Sequence, residues 1–456
     1  MTSFISLSEE VCVPLRSRKI FNNDKPWFSA HLRRLRSEKE VARRSGDVAL
    51  FRKAKYRFAK TVREARHRFS EKLKQQLSEG NSSSVWKGLK SITNYKPKSP
   101  QASDNLPLAN ELNEFYCRFE REVPLAPSLQ PPRPQSLCPY LSEPPSSPPP
   151  PPLSVTVREV NLLLRSQNPR KAPGPDSVSP SVLKHCADQL APVFTNIFNT
   201  SLELCHVPAC FKASTIIPIP KKAKVTGLND FRPVALTSVV MKVMERLVLA
   251  HLKRITNPVL DPLQFAYRAN RSTEDTVNMA LHFILNHLDT AGNYARILFV
   301  DFSSAFNTIL PSILEHQLSL LQVPASTCKW ITDFLTNRSQ RVKLGKSISS
   351  SRSTSTGSPQ GCVLSPLLFS LYTNTCVSLH QLVKLLKFAD DTTLVGLISK
   401  GDESAYRREI ERLRSWCSSN NLDLNPQKTV EMVVNFHKNT APPPPITLGG
   451  TLVNSV

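Results

Sequence analysis

The sequence predicts an α+β fold with an antiparallel sheet, preceded by a basic helical region and a proline-rich linker. Three observations lead there. Apolar runs of strand length recur in the second half of the chain, at Ile297 to Val300, Leu385 to Phe388, Thr392 to Gly396 and Val430 to Val434. Helical periodicity separates them, at Val277, Ala280, Leu281, Ile284 and Leu288 and again at Tyr406, Ile410, Leu413 and Trp416. Upstream, a long basic stretch with its own helical period gives way to a run of prolines.

Residues 1–123 read as the basic helical region. Phe51, Ala54, Phe58, Val62, Ala65, Phe69 and Leu73 recur at steps of three or four, which predicts one amphipathic helix. Its polar face carries Arg52, Lys53, Lys55, Arg57, Lys60, Arg63, Arg66 and Arg68 with few acids, a lopsided pattern that points to nucleic-acid contact rather than a merely solvated face. A shorter segment starts at Trp86 and ends near Pro97. Residues 124–153 end in an uninterrupted proline run, a composition that favours extended polyproline and cannot build a core, so they read as a linker. Alternation of apolar and polar groups resumes at Ser154, and residues 154–436 read as the globular part. A second proline cluster, Pro442 to Pro445, sets off a short tail over 437–456.

A net charge of +23 is typical of chains that neutralise phosphates and release counterions, which makes nucleic acid the leading partner class. No uninterrupted apolar run approaches the roughly 18 residues that span a bilayer. Glu9 and Glu10 interrupt the N-terminal stretch where a signal peptide needs apolar continuity. The expectation is an intracellular protein, nuclear or cytoplasmic, neither secreted nor in a membrane; its oligomeric state is open. Ten cysteines are scattered without a compact framework and are expected as free thiols. Cys205 and Cys210 around His206, with His185-Cys186 upstream, lack the paired spacing of a structural zinc site, and buried apolar cysteines are the preferred account.

Asp390 and Asp391 fall between two strand-length runs, so the acidic pair is expected in a hairpin turn, while the run Ile297 to Val300 delivers Asp301. If that strand lies beside the hairpin, a strand spacing of about 4.8 Å brings three carboxylates within reach of one another. Three such anions repel unless divalent cations fill the gap, and hard cations such as Mg²⁺ take oxygen ligands. An Asp-Asp pair by itself is more often a solvated turn. Other segments raise its weight.

In chain order these are Lys171-Ala172-Pro173-Gly174-Pro175-Asp176, Ile219-Pro220-Lys221-Lys222, Asp230-Phe231-Arg232-Pro233-Val234-Ala235-Leu236, Gln264-Phe265-Ala266-Tyr267-Arg268 and Arg271-Ser272-Thr273. Phe299-Val300-Asp301-Phe302-Ser303-Ser304-Ala305-Phe306, Gly357-Ser358-Pro359-Gln360-Gly361, Phe388-Ala389-Asp390-Asp391 and Leu422-Asp423-Leu424-Asn425-Pro426-Gln427-Lys428-Thr429 follow. Over about 154–436 the chain resembles the reverse transcriptase of a non-LTR (LINE-type) retrotransposon. Lys25-Pro26-Trp27-Phe28 and Val85-Trp86-Lys87-Gly88-Leu89-Lys90 are similar to the connector between the endonuclease and polymerase of such elements.

The resemblance implies a polymerase palm with an antiparallel sheet plus fingers, an RNA template, a DNA primer and deoxynucleoside triphosphates as substrates. It also implies two Mg²⁺ ions, with Mn²⁺ an allowed substitute, held by Asp301 and Asp390, and Asp391 as a neighbouring carboxylate. Phe306 would abut the sugar and exclude a 2′-hydroxyl. Lys221, Lys222 and Arg232 would meet the triphosphate, the guanidinium through two parallel donors. Gln360 would orient template or nucleotide, with Gly361 permitting close backbone approach. Arg268 would lie near template and nucleotide, and Lys428 would assist the pyrophosphate leaving group. For Phe306 a plain core position, and for Lys221, Lys222 and Lys428 an exposed surface, stay open on the residues alone. Ser272 and Asp275 are expected to cap a helix.

Two other readings remain. No endonuclease precedes the basic helix and nothing long enough for a thumb follows Phe436, so the expectation is weak or distributive synthesis, or a catalytically silent nucleic-acid-binding remnant. A group II intron or telomerase-like polymerase shares the palm logic; the connector tips the balance toward a LINE-type element.

Overall fold

A computed structural model describes residues 1–13, 25–78, 82–93, 104–120, 152–437 and 443–456. Most of the expected proline-rich linker, the end of the short segment near Pro97, and Pro442 lie outside the described residues. The chain divides into two compact units, one of 13–101 and one of 1–12 with 102–456.

The first of these is helical. Helices Ala30–Arg44, Val48–Ser78 and Ser82–Thr93 make it up. Ser29 caps the first by accepting from the Leu32 N–H, and Asp47 Oδ1 opens the second by accepting from Ala49 and Leu50. At 31 residues the middle helix is about 46 Å long. None of its side chains is fully buried, and Phe28 and Trp27 lean on it through Phe58 and the Arg66 guanidinium. Its outward face is the basic one that the periodicity predicts, with Tyr56 standing exposed among the cations.

The larger unit is α+β and holds two main sheets. Its strands are β1 (Ser214–Pro220), β2 (Phe231–Thr237), β3 (Asn293–Val300), β4 (Arg338–Leu344), β5 (Ser347–Ile348), β6 (Arg352–Thr354), β7 (Val383–Phe388), β8 (Asp391–Ser399), β9 (Val430–Val434), β10 (Thr447–Leu448), β11 (Thr451–Leu452) and β12 (Asn454–Ser455). The sheet expected as the palm runs β12-β9-β3-β8-β7, antiparallel except for the β12–β9 edge. Alternation gives it two apolar faces. Leu298, Val300, Leu385 and Leu394 join the main core, which Tyr406, Ile410 and Leu413 of helix Ser404–Ser419 close. Ala295, Ile297, Leu386 and Val395 meet Ile284 of helix Thr273–Leu288 on the other side. Ser272 and Asp275 start that helix with the reciprocal capping hydrogen bonds that their spacing predicts.

Charge is buried in the first face. Arg296 on β3 donates to Glu403 at 2.7 Å and to both oxygens of Glu431 at 2.8 and 2.7 Å, and its Nη1 also reaches the Pro444 carbonyl. Burial pushes the Glu403 carboxyl up, but the bonds from Arg296, Tyr294 and Arg407 outweigh it and leave the group below its ordinary value. The same contacts tie down residues 443–456. The tail expected beyond Phe436 is therefore built into the fold, with β12 beside β9 and the Val456 N–H donating to the Glu431 carbonyl.

The second sheet runs β2-β1-β4-β5, with β6 on β4. Its hairpin β1–β2 lies upstream of Asp301, but β4 to β6 arrive from downstream. The helix of 273–288, which follows that hairpin in sequence, packs against the other sheet. Residues 104–120, read with the basic region, belong here too: Ala109 and Leu112 of helix Leu106–Tyr116 are fully buried against Ile216, Ala235, Val342 and Leu344.

Among the described residues no helix is long and apolar enough to cross a membrane. Cys328, Cys362, Cys376 and Cys417 are buried free thiols as expected, whereas Cys186 and Cys210 are exposed and Cys205 half-buried. These three sit at helix ends near the surface, where the Cys-X4-Cys spacing gives no core-facing period, and the buried reading of them is corrected.

Candidate active site

The β-ladder sets the site. Val300 on β3 pairs with Thr392 on β8, so the next residue out on each strand, Asp301 and Asp391, share one end of the sheet. Phe388 pairs with Asp391 across the β7–β8 hairpin, leaving Ala389 and Asp390 as its turn. Ala389 has φ +60°, a left-handed conformation that costs a non-glycine residue about 1 kcal/mol or more. Gln264 holds it there: its Oε1 accepts from the N–H groups of Ala389 and Ala266, while the Phe265 N–H donates to the Lys387 carbonyl and the Lys387 N–H to the Leu263 carbonyl, each at 2.9 Å.

Burial raises the Asp391 carboxyl above its ordinary value, and the charges of Asp390 and Asp301 add to the shift. The three carboxylates thus feel one another. Tyr267, also at positive φ, stands beside them, its hydroxyl raised by burial and then by Asp390 and Asp391. The Asp301 backbone is locked to the segment after helix Ser404–Ser419: its carbonyl accepts from Asn425, its N–H donates to Thr429 Oγ1, and Ser303 donates to the Asp423 carbonyl. Thr429 is fully buried. Asp301 Oδ2 is shielded from solvent with no hydrogen-bond partner, and the closest cation, Lys428 Nζ, is 3.7 Å away. Among the described residues no three acidic, histidine or cysteine side chains close into a ready-made ion cage. An orphaned carboxylate oxygen facing two like charges still fits a divalent cation well, because an unpaired buried acceptor is costly without one.

Lys428 links the aspartates to the β1–β2 hairpin. Lys221 has its ammonium lowered by burial, then by the neighbouring charges of Lys428 and Arg232, with Arg118 contributing as well. Its Nζ donates to the Asn229 carbonyl. Lys222 faces elsewhere: it is paired at 2.8 Å with Asp230, whose carboxyl it holds well below the usual range together with Thr226. The adjacent lysines, indistinguishable in sequence, therefore separate into one in the cationic cluster and one tied to its own loop. Arg268 is not in that cluster; its Nη1 donates to the carbonyls of Asp261 and Gln264 and so braces the loop that carries Tyr267.

The segment 357–361 lies against the second sheet. Ala235 on β2 donates to the Gln360 carbonyl at 2.7 Å. Gly361 has φ +127°, and a Cβ there would stand 2.5 Å from the Ala235 carbonyl oxygen; one on Gly357 would stand 2.8 Å from the Asn307 backbone. The buried Arg338 donates to the carbonyls of Thr356 and Gly357 and fixes the loop. A polar cavity opens here, lined by Phe119, Pro233, Asn307, Arg338, Ser358 and Gln360. Phe306 is next to it on a single 3₁₀ turn, Ala305–Asn307. Its ring lies 4.8 Å from that of Phe369 and its carbonyl accepts from Ser358.

Asp301, Asp390, Asp391, Lys428, Lys221 and Arg232 are thus brought together electrostatically, with Gln360, Gly361 and Phe306 on the adjoining loops, while Lys222 and Arg268 are engaged locally. Gln264, Tyr267, Thr429 and Arg118 were not singled out from sequence as site residues. For the first two the signal was the quoted motif itself; for Thr429 it was a hydroxyl after a lysine, which is too common to read.

Residues 219–446 match the family model described as reverse transcriptase (RNA-dependent DNA polymerase). Over 339 residues the chain is 29% identical to the RNA-directed DNA polymerase from mobile element jockey of Drosophila melanogaster, covering 70% of this chain and 36% of that relative. It is 28% identical over 312 residues to a protein of the same organism described as "Probable RNA-directed DNA polymerase from transposon BS", 66% of this chain and 34% of the relative. A match to the Pol polyprotein of retrotransposable element R2DM, also from Drosophila melanogaster, is 22% identical over 200 residues, 44% and 18% of the two. The chain spans about a third of the length of the first two relatives. The motifs, the matched span and these relatives agree, and the chain belongs to the reverse transcriptase (RNA-dependent DNA polymerase) family.

Proposed function

We propose that this chain is an RNA-directed DNA polymerase module that extends a DNA primer along an RNA template, adding deoxynucleotides at the primer 3′-hydroxyl. The observation that carries the proposal is the β3–β8 register, which sets Asp301 beside Asp391 and the Asp390 turn, with Lys428 leading to Lys221 and Arg232. Asp301 and Asp390 would hold two Mg²⁺ ions, or Mn²⁺ in their place, with Asp391 as the adjoining carboxylate. When bound, such ions stabilise the charge on the attacking and leaving oxygens of an in-line phosphoryl displacement.

The remaining roles belong to the side chains. Arg232 and Lys221 bind the triphosphate, and Lys428 stands at the leaving end of it, where a cation favours departure of pyrophosphate. The backbone bond between Ala235 and Gln360 keeps the glycine-rich loop against the β1–β2 hairpin, so the Gln360 side chain faces the cavity where a base pair would form. Phe306, braced by Phe369, presents an aromatic edge to the sugar and leaves no room for a 2′-hydroxyl. Thr429 and Gln264 position the aspartates through hydrogen bonds to the Asp301 and Ala389 backbones. The basic helix Val48–Ser78 supports an additional contact with nucleic acid backbone.

Incorporation of labelled dTTP on poly(rA)·oligo(dT) with Mg²⁺ tests the proposal. Template-dependent product that vanishes with Asp301→Ala supports it. Steeply salt-dependent retention of the template–primer on a filter, with no incorporation by the wild-type chain, would instead identify a nucleic-acid-binding remnant.

A further inference from the structure

We propose that Arg118, upstream of the proline-rich linker, is a phosphate-binding residue of the nucleotide site that grips the triphosphate of the incoming deoxynucleotide together with Lys221, Arg232 and Lys428. The inference rests on the polymerase reading above and extends it to a residue outside every quoted motif.

The backbone around Arg118 is anchored on both sides. Before it, Asn113 donates to the Ser350 carbonyl at 2.9 Å and accepts from Gln340 at 3.0 Å, on a helix whose Ala109 and Leu112 are fully buried. After it, the Glu120 carboxylate accepts from the backbone N–H groups of Ser355 and Thr356, the residues leading into the 357–361 loop. The guanidinium is then oriented by its own neighbours. It lies 3.7 Å from the Phe115 ring centroid and 4.1 Å from that of Phe119, and Nη1 donates to the Phe115 carbonyl at 2.6 Å. Nη2 reaches Ser304 Oγ at 3.4 Å, three residues beyond Asp301 in the loop that carries Phe306.

Among the described residues no carboxylate pairs with this guanidinium, yet its side chain is still accessible to solvent. Its neighbours in charge are cations: Lys221 feels Lys428, Arg232 and Arg118 at once. Of the carboxylates nearby, Asp230 is committed to Lys222, Glu120 to the Ser355 and Thr356 N–H groups, and Asp301 lies 3.7 Å from Lys428 with Asp390 and Asp391 beyond it. Four cations gathered with so little compensation repel one another unless a multivalent anion sits among them, and a triphosphate supplies that charge. A planar fork held between two aromatic rings loses little side-chain freedom when it takes such an anion. A backbone phosphate of the template offers the same oxygens, so the test separates the two sources.

The full-length chain, wild type, Arg118→Ala and Arg118→Lys, is assembled on poly(rA)·oligo(dT) whose primer ends in a dideoxynucleotide, and retention of dTTP in that complex is titrated. Arg118→Ala should weaken dTTP binding about tenfold, and Arg118→Lys, which keeps the charge but not the fork, about threefold. The affinity for poly(rA)·oligo(dT) and its salt slope should be unchanged, and inhibition by inorganic tripolyphosphate should weaken by the same factor as dTTP binding. Unchanged dTTP affinity in Arg118→Ala overturns the inference; so does a loss of template affinity with a shallower salt slope, which would assign Arg118 to the template backbone. If the wild-type chain incorporates nothing with an extendable primer, Arg118-dependent dTTP retention upholds this inference while the polymerase reading falls. If Arg118→Ala fails to fold, the Arg118→Lys titration decides alone, with equal affinity overturning the inference.

Discussion

Glu245 makes stability depend on pH near neutrality, and Glu245→Gln should remove that dependence. The side chain is fully buried on helix Val239–Thr256. Its Oε2 accepts from the N–H groups of Val363 and Leu364, just ahead of helix Ser365–Tyr372, while Oε1 has no partner. Burial pushes the carboxyl from an ordinary 4.5 up to about 7, against the opposing pull of the two backbone donors and of Lys242 and Arg246. An unfolded chain releases this proton near pH 4.5 and the folded one near 7. Between those values the folded state binds more protons, so stability falls as pH rises; the contribution is complete below the lower value and gone above the upper. The whole step is worth about 3 kcal/mol, of which about 2.5 kcal/mol falls between pH 5 and 8. Urea unfolding of wild type and variant across that range measures it, and the difference between the two cancels every other titrating group. The variant should gain on the wild type by that amount from pH 5 to pH 8. A difference that stays constant to within about 0.5 kcal/mol would show that Glu245 keeps an ordinary carboxyl, and the reasoning from burial would fail.

Three further outcomes can be checked. Arg296→Ala strips the buried Glu431 of its cation, leaves Glu403 with Arg407 alone, and should cost about 3–5 kcal/mol in urea unfolding, whereas the triple change Arg296→Met, Glu403→Leu, Glu431→Leu should cost far less; equal losses would contradict the burial argument. Lys221→Ala should raise the KM for dTTP by about tenfold and Lys222→Ala by less than about twofold, since only Lys221 joins the cationic cluster; a reversed order in steady-state incorporation would sink that separation. Phe306→Ala should leave dTTP incorporation within about tenfold of wild type but admit UTP about a hundredfold more readily, and unchanged discrimination would return Phe306 to a core role.

Much of this is legible in the sequence. The run Val430 to Val434 forms a strand with those same ends, and the two runs about Asp390 form the expected hairpin, because each is an apolar run of strand length and the two hairpin strands adjoin in sequence. β3 was caught only from Ile297 on. Its first half contains Arg296, whose partners Glu403 and Glu431 lie more than a hundred residues away, and a charged residue reads as solvent-facing until they are seen. The same distance hides β4 to β6 from the β1–β2 hairpin and hides Leu106–Tyr116 from the sheet that it covers. At the site, Asp301, Asp390 and Asp391 were readable as residue types at strand ends. The division of labour between Lys221 and Lys222 was not, since it depends on which of them reaches Asp230. Arg268 is placed near template and nucleotide by the resemblance alone; that its Nη1 donates to the carbonyls of Asp261 and Gln264 depends on a loop fold that the motif does not spell out.

Most directly at stake is whether the carboxylates at the shared end of β3 and the β7–β8 hairpin carry out nucleotidyl transfer. Primer extension on an RNA template with Mg²⁺ and deoxynucleotides, comparing wild type with Asp390→Ala, measures it. Template-dependent product in the wild type and at least a thousandfold less in the variant, about 4 kcal/mol of lost transition-state stabilisation, is the predicted result. Synthesis that survives Asp390→Ala would contradict the assignment of the site.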